Sequence, residues 1–381
     1  MYDCAIIGAG VVGLSVAYEL SQHGQHVCLI DRGLPGREAS WAGAGILVPE
    51  NFATATSSHE KLGGLSSELH PTWSAQLREE TGIDNGYRPC GGLHVIGTEA
   101  EHAELLDTLN WFQQRRIPYE QVPAKALVEF VPAMASAIQR GRIHEAYYLP
   151  GEAQLRNPRH LKALIKACQL RGVEIVTDAE VTGFDLSANR VMGVHTTGAT
   201  IHAEQFCVAN GAWANTLLQQ LDRNLNIKLK PVRGQMVMFG ARNPLFRPVI
   251  NEGDRYLVPR DDGRILVGST EEDVGFVKSD NAESVAELFR FATGLIDELQ
   301  DVPVEKTWCG LRPASPDRRP YLGPLHPWDN IFVAVGHFRS GLWLSTGTAI
   351  VMSELLRGET PRIDLTEFGL DRDRCMAHRK D

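Results

Sequence analysis

The 381-residue chain contains no apolar run of about 18 residues, so a helix that crosses a membrane is excluded. Positive charge is in deficit: 38 Lys and Arg stand against 47 Asp and Glu, a net charge of -9. No broad basic field exists to hold a phosphate backbone or an anionic membrane surface, so neither nucleic acid nor a membrane is an expected partner. Cysteine is sparse and dispersed. The seven residues, Cys4, Cys28, Cys90, Cys168, Cys207, Cys309 and Cys375, form no CxxC pair. Several of them sit in apolar runs where a free thiol behaves as a small hydrophobe. Reduced thiols and a reducing compartment are therefore expected. The 13 histidines never recur at HxxxH or comparable spacing, and no metal is expected. A GxSxG elbow is missing, which removes support for a serine hydrolase. Repeats and low-complexity tracts are missing as well, so the chain reads as one interwoven unit. No basic region, apolar region and cleavage site precede the first strand, and a cytoplasmic protein is expected.

What is present is an ordinary globular balance, 43% hydrophobic and 22% charged, with enough chain for two domains at about 150 residues each. Tyr2-Asp3-Cys4-Ala5-Ile6-Ile7 reads as a short buried strand. Val11 to about His23 has helical periodicity, with Val12, Val16 and Leu20 on one stripe and Gly24 as a stop. His26 to Ile30 is a second strand ending at Asp31, which completes a βαβ unit with parallel strands. Further helices are expected at 73–81, 99–115, 158–170 with Asn157 as cap, 285–299 and 348–356. Strands are expected at 91–96, 174–177, 190–196, 200–207, 234–239, 255–259, 265–267 and 330–335. Hairpin signals at Ser187-Ala188-Asn189 and Asp261-Asp262-Gly263 make the middle of the chain antiparallel sheet. The last strand and helix return to the first domain, which is thus assembled from distant pieces.

Gly8, Gly10 and Gly13 form a GxGxxG directly after a strand and at the opening of a helix. The first glycine permits the tight turn, the second lets backbone approach a pyrophosphate, and the third allows close helix-strand packing, while the helix N-terminus supplies positive potential. Asp31 follows Gly13 by 18 residues, at the end of the second strand, where a carboxylate can accept both ribose hydroxyls. An adenine dinucleotide is expected, and the acid disfavours the 2'-phosphate of NADP. The fingerprint does not separate NAD from FAD. The stretch Gly36 to Ile46, rich in small residues, allows a second close backbone approach of the kind a long cofactor needs.

These residues, with Leu155-Arg156-Asn157-Pro158-Arg159, Val208-Ala209-Asn210-Gly211-Ala212-Trp213, Pro231-Val232-Arg233-Gly234-Gln235, Gly310-Leu311-Arg312-Pro313 and Gly336-His337-Phe338-Arg339-Ser340-Gly341, resemble the FAD-dependent D-amino-acid oxidase family and within it a bacterial, glycine-oxidising branch. The resemblance covers roughly residues 2–356. It implies an α/β fold: a Rossmann-like FAD-binding domain (1–85, 150–215 and 310–370) and a second, mainly antiparallel sheet domain for substrate (86–149 and 216–309). It implies non-covalent FAD lined by Gly8, Gly10, Val11, Val12, Gly13, Asp31, Arg32, Ala39, Ser40, Ala44, Gly45, Ile46, the backbone of Val181, and His337, Phe338, Arg339, Ser340, Gly341, Leu342 and Trp343. Arg312, whose fork of donors suits a carboxylate, would clamp the amino-acid carboxylate with Tyr256, and Arg339 would lie near substrate and flavin. No catalytic side chain is singled out, since the flavin carries the chemistry.

The implied activity is oxidative deamination of glycine, sarcosine or small D-amino acids to the oxo acid, ammonia and hydrogen peroxide, feeding the thiazole branch of thiamine biosynthesis. The implied assembly is a homotetramer. The alternatives are a dehydrogenase of the same fold with another amine or electron acceptor, and a non-catalytic dinucleotide-binding regulator. Three positions bear on the choice. Cys309 lies near where sarcosine-oxidising relatives link their flavin. Glu271 falls where some relatives carry an apolar residue beside the substrate; facing the site, it would favour small or cationic amines. Trp343 would narrow the pocket.

Overall fold

The computed structural model describes residues 1–225 and 227–372, so Cys375 lies outside the described residues. Its first large sheet has six strands in the order Tyr321–Pro324, Ile331–Val335, Ala203–Val208, Tyr2–Ile7, Val27–Ile30 and Glu174–Val176. All pairings are parallel except the one between the first two strands. The central strands are short apolar runs because both faces are covered. Alternation divides their side chains between two cores: Ile6 and Leu29 join the helices Val11–Gln22, Asn157–Leu170 and Ser345–Leu356 on one face. Ala5, Ile7, Cys28 and Ile30 meet the helix Ala214–Leu221 and the small antiparallel sheet of Val181–Ser187, Arg190–Thr196 and Thr200–Ile201 on the other.

A second large sheet has eight strands: Val304–Ala314, Lys230–Gly240, Arg264–Gly268, Arg255–Pro259, Val249–Glu252, Gly92–Ile96, Glu145–Leu149 and Glu120–Pro123. Only Val249–Glu252 and Gly92–Ile96 pair in parallel. One face packs on the helix Ala282–Leu295 and the short helices Ala124–Phe130 and Ala135–Gln139. The architecture is α/β, a Rossmann-like unit joined to a mainly antiparallel sheet, as the sequence implies.

The structure differs from the sequence expectations where tertiary contacts outweigh local signals. The helix expected at 73–81 is the end of a 24-residue helix, Ser58–Thr81, opened by a Ser57/Glu60 capping box. Gly63, Gly64 and Pro71 argue against a helix by propensity. The two glycines are nonetheless required there, because a Cβ would meet Trp343 at Gly63 and the backbone of Phe52 at Gly64. Asn157 is not a cap: the helix begins at Asn157 with no side-chain cap bond, and its Nδ2 instead donates to the Ser40 carbonyl at 2.8 Å. The segment 200–207 splits into Thr200–Ile201 and Ala203–Val208. The expected domain cuts at 215/216 and 309/310 fall inside the helix Ala214–Leu221 and the strand Val304–Ala314, so chain runs unbroken through both positions.

Candidate active site

The turn after Tyr2–Ile7 is closed by contact between backbones. Gly8 adopts φ +109°, and a Cβ there would lie 2.6 Å from backbone atoms of Ala209 and Asn210. Gly13 presses its bare Cα against the Gly8 carbonyl, which lets the helix start directly on the sheet. That helix has Gly10 at its cap, no side-chain cap bond and no acid in its first turn, so its N-terminal amides keep their positive potential. Asp31 is held beside them: one carboxylate oxygen accepts from the Ala9 amide at 2.7 Å and the other from Gly33 at 2.9 Å. Burial nonetheless raises its pKa.

A cavity of about 780 Å³ begins at this cradle and runs to the second sheet. Gly8, Gly10, Val11, Val12, Asp31, Arg32, Ala39, Ser40, Ala44, Gly45, Ile46, Val181 and the loop from His337 to Trp343 border it. Gly13 does not, since its part is the packing just described. The Ser40 hydroxyl accepts from the Val11 amide at 2.9 Å, and the Arg32 guanidinium lies 3.8 Å over the Trp213 ring. Nothing in the Val208 to Trp213 motif announces a role by itself; in the fold Asn210 borders the cavity, and its buried Oδ1 has no hydrogen-bond partner among the described residues. Arg260 carries no signal in its local sequence. It is buried and donates to the carbonyls of Ala44 at 2.6 Å and Leu155 at 3.0 Å, which ties the small-residue loop to the second sheet. Burial pushes its guanidinium down to about 9.

A glycine cradle at a helix N-terminus, a half-buried acid beside it, an unpartnered amide oxygen and a long cavity fit a dinucleotide.

At the far end, Arg312 enters from strand Val304–Ala314. Its Nη1 donates to the Thr270 carbonyl at 2.9 Å and its Nη2 to Ser269 Oγ at 2.7 Å. Both acceptors are neutral, and no carboxylate is paired with it among the described residues. Burial lowers its pKa. The guanidinium lies on Gly234 of the neighbouring strand, where a Cβ would stand inside it; this is the reason for glycine in the Pro-Val-Arg-Gly-Gln run. Thr270 is fixed in turn. Its hydroxyl donates to Glu272 Oε1 at 2.6 Å and accepts from the Gln235 amide at 3.0 Å, and Glu272 also takes Gln235 Nε2 at 2.7 Å and Arg233 Nε at 3.2 Å. These bonds hold the Glu272 carboxyl down to about 2 against the effect of burial. Tyr256 borders the same end of the cavity, its hydroxyl 3.5 Å from Met236 Sδ.

Arg339 also borders the cavity, with both terminal nitrogens engaged: Nη1 by Asp254 Oδ1 at 2.6 Å and Glu271 Oε1 at 3.1 Å, Nη2 by the Asp254 carbonyl at 2.6 Å. Glu271 itself does not border the cavity. Cys309 does not either, although its neighbour Gly310 does; the thiol is free and half-buried, and burial together with Asp280 raises its pKa. His337 is buried against Thr348 Oγ1 at 3.1 Å, and burial pushes it down to about 3, so its ring is neutral. Phe338 beside it adopts φ 49°, a left-handed conformation that a non-glycine residue holds only under tertiary constraint. The Trp343 carbonyl is held by His70 Nε2 at 2.7 Å. Among the described residues no group of His, Cys, Asp and Glu is placed to hold a metal, and no helix is long and apolar enough to cross a membrane.

Comparison with known proteins places this geometry. Residues 3–355 match the model of the FAD dependent oxidoreductase family. A glycine oxidase of Pseudomonas aeruginosa is 35% identical over 364 residues, 94% of this chain and 96% of that protein. The bifunctional protein ThiO/ThiG of Trichormus variabilis is 32% identical over 361 residues, 93% of this chain and 52% of that protein. The crystal structure of glycine oxidase from Geobacillus kaustophilus superposes with a TM-score of 0.91 at 30% identity, covering 97% of this chain and 98% of that one.

Proposed function

The chain belongs to the FAD dependent oxidoreductase family, and from that premise we propose that it oxidises glycine and similarly small amino acids to the oxo acid, ammonia and hydrogen peroxide. The observation that carries this reading is the cavity joining a dinucleotide cradle to Arg312, a half-buried guanidinium whose acceptors among the described residues are all neutral. Such a group is completed by a ligand carboxylate, because an anion in a low-dielectric wall offsets its lost hydration. FAD, when bound, supplies the two-electron acceptor for the substrate's α C–H bond.

The remaining work falls to side chains. The amides at the start of Val11–Gln22, Asp31 and Ser40 hold the cofactor without a covalent bond. Arg312 takes the substrate carboxylate, and the Tyr256 hydroxyl donates to it. The bonds from Ser269 and Thr270 fix the direction in which the guanidinium points, so the substrate's α-carbon is presented in one orientation. Neutral His337 adds no charge beside the reacting atoms, and an amine that binds unprotonated needs no side-chain base. We assign oxygen as electron acceptor, a cytoplasmic homotetramer as the working form, and the thiazole branch of thiamine biosynthesis as the consumer of the glycine-derived product.

The test is an anaerobic addition of glycine, sarcosine and D-proline to the purified holoenzyme, followed by air. Bleaching of the flavin's visible band by glycine, reversed by air with release of peroxide, is the expected result. A flavin bleached only by another amine, or one that stays reduced in air, replaces this reading with that of a dehydrogenase or of an oxidase for a different substrate.

A further inference from the structure

Two arginines border the substrate end of the cavity, and their surroundings are opposite. Among the described residues Arg312 has neutral acceptors alone, whereas Arg339 is met by two carboxylates. The acids reach Arg339 from separate parts of the second sheet domain. Asp254 comes from the turn between Val249–Glu252 and Arg255–Pro259, and Glu271 from the segment after Arg264–Gly268. Arg339 itself belongs to the loop after Ile331–Val335 of the first sheet; Asp254 borders the cavity with it, while Glu271 meets Arg339 from behind the lining. Glu271 is pinned from its other side by Arg318 Nη2 at 3.3 Å, and Arg318 rests over the Phe338 ring. Arg339 and Glu271 both act on the Arg312 guanidinium, Arg339 lowering and Glu271 raising its pKa.

We propose that Asp254 and Glu271 cover Arg339 with internal carboxylates and thereby set the preference for substrates that carry a single carboxylate. The inference rests on the reading of this cavity as an amino-acid site. An amino-dicarboxylate that placed one carboxylate on Arg312 would reach Arg339 with the other only by displacing an acid already there, and the displaced acid would remain close by as a like charge. That is a repulsive element against dicarboxylates, and it costs monocarboxylates nothing. The two acids are unequal. The Asp254 side chain is 73% exposed, which makes its pair easily broken; Glu271 is 26% exposed and held from both sides. Uncovering Arg339 therefore needs Glu271 above all.

The experiment compares acetate and malonate binding to the holoenzyme by calorimetry, in the wild type, Asp254→Asn, Glu271→Gln and the double variant, with turnover of glycine and iminodiacetate alongside. The expected result is a malonate-to-acetate affinity ratio that rises at least tenfold in the double variant, less in Glu271→Gln and least in Asp254→Asn. Adding Arg339→Met to the double variant then abolishes the rise. An unchanged ratio in Glu271→Gln and the double variant overturns the proposal, as does a rise that survives the loss of Arg339. Should glycine fail to reduce the wild-type flavin, the substrate reading falls, while the malonate series still decides the role of the two acids.

Discussion

The two ends of the cavity are built from different materials. At the parallel sheet the wall is mostly backbone and small side chains: Gly8, Gly10, Ala44 and Gly45 present little of themselves, and the uncapped amides at the start of Val11–Gln22 stand beside them. At the antiparallel sheet the wall carries the charged Arg312, Asp254 and Arg339, and behind Arg312 a chain of bonds runs through Thr270 to Glu272 and Arg233. Tightness of packing governs the first end, and electrostatic placement governs the second. Damage should therefore appear as lost cofactor or lost stability at one end, and as lost substrate affinity in an intact flavoprotein at the other.

The sharpest way to break this contrast is Gly8→Ala. A Cβ at φ +109°, driven into the backbone of Ala209 and Asn210, should destabilise the protein by more than about 3 kcal/mol and empty it of FAD. Melting temperature and flavin absorbance per protein check it, and full flavin occupancy would remove backbone tightness as the defining feature of the cradle.

Acid should next weaken the parallel-sheet half. Burial pushes His70 down to about 4, and His160 and His337 to about 3. The unfolded chain protonates these histidines near pH 6.5 and the folded chain does not, so stability falls as pH drops from about 6.5 toward 4, by up to about 1.4 kcal/mol per pH unit for each. A melting temperature that stays flat between about pH 6.5 and 5 would contradict this.

At the substrate end, Arg312→Ala should retain FAD yet lower kcat/KM for glycine by the equivalent of about 2 to 5 kcal/mol, mostly through KM. Steady-state kinetics with a flavin count decides it, and loss of flavin together with affinity would merge the two ends into one. The smallest effect is expected of Tyr256→Phe. One hydroxyl removed is worth about 1 kcal/mol, a few-fold in KM with little change in flavin content or melting temperature. A loss as large as that of Arg312→Ala would make the tyrosine an equal partner in the clamp.

The legibility of the chain follows the same division. The βαβ opening, the three glycines and Asp31 can be read from spacing, because a strand, a tight turn and a helix are satisfied by neighbours within some 30 residues. The small-residue run from Gly36 to Ile46 is nearly as local. The partners of Arg312 are not: Ser269 and Thr270 stand 43 and 42 residues away, and nothing in a Gly-Leu-Arg-Pro run announces them. Glu271 and Glu272 are adjacent in sequence, yet one pairs with Arg339 and the other anchors Thr270. Asn157 reads as a cap and serves instead as a strut to Ser40, since a buried amide takes the partner that packing provides.

Periodicity, glycine stereochemistry and the fork of one side chain make the parallel sheet, the glycine cradle and an arginine suited to a carboxylate legible from the residues alone. Which arginine is without an acid among the described residues, and which meets two, follows from the fold. That distinction depends on strand register in the antiparallel sheet and on loops meeting beside the cavity, where shifting a pairing by one residue reverses the side of the sheet on which a charge stands.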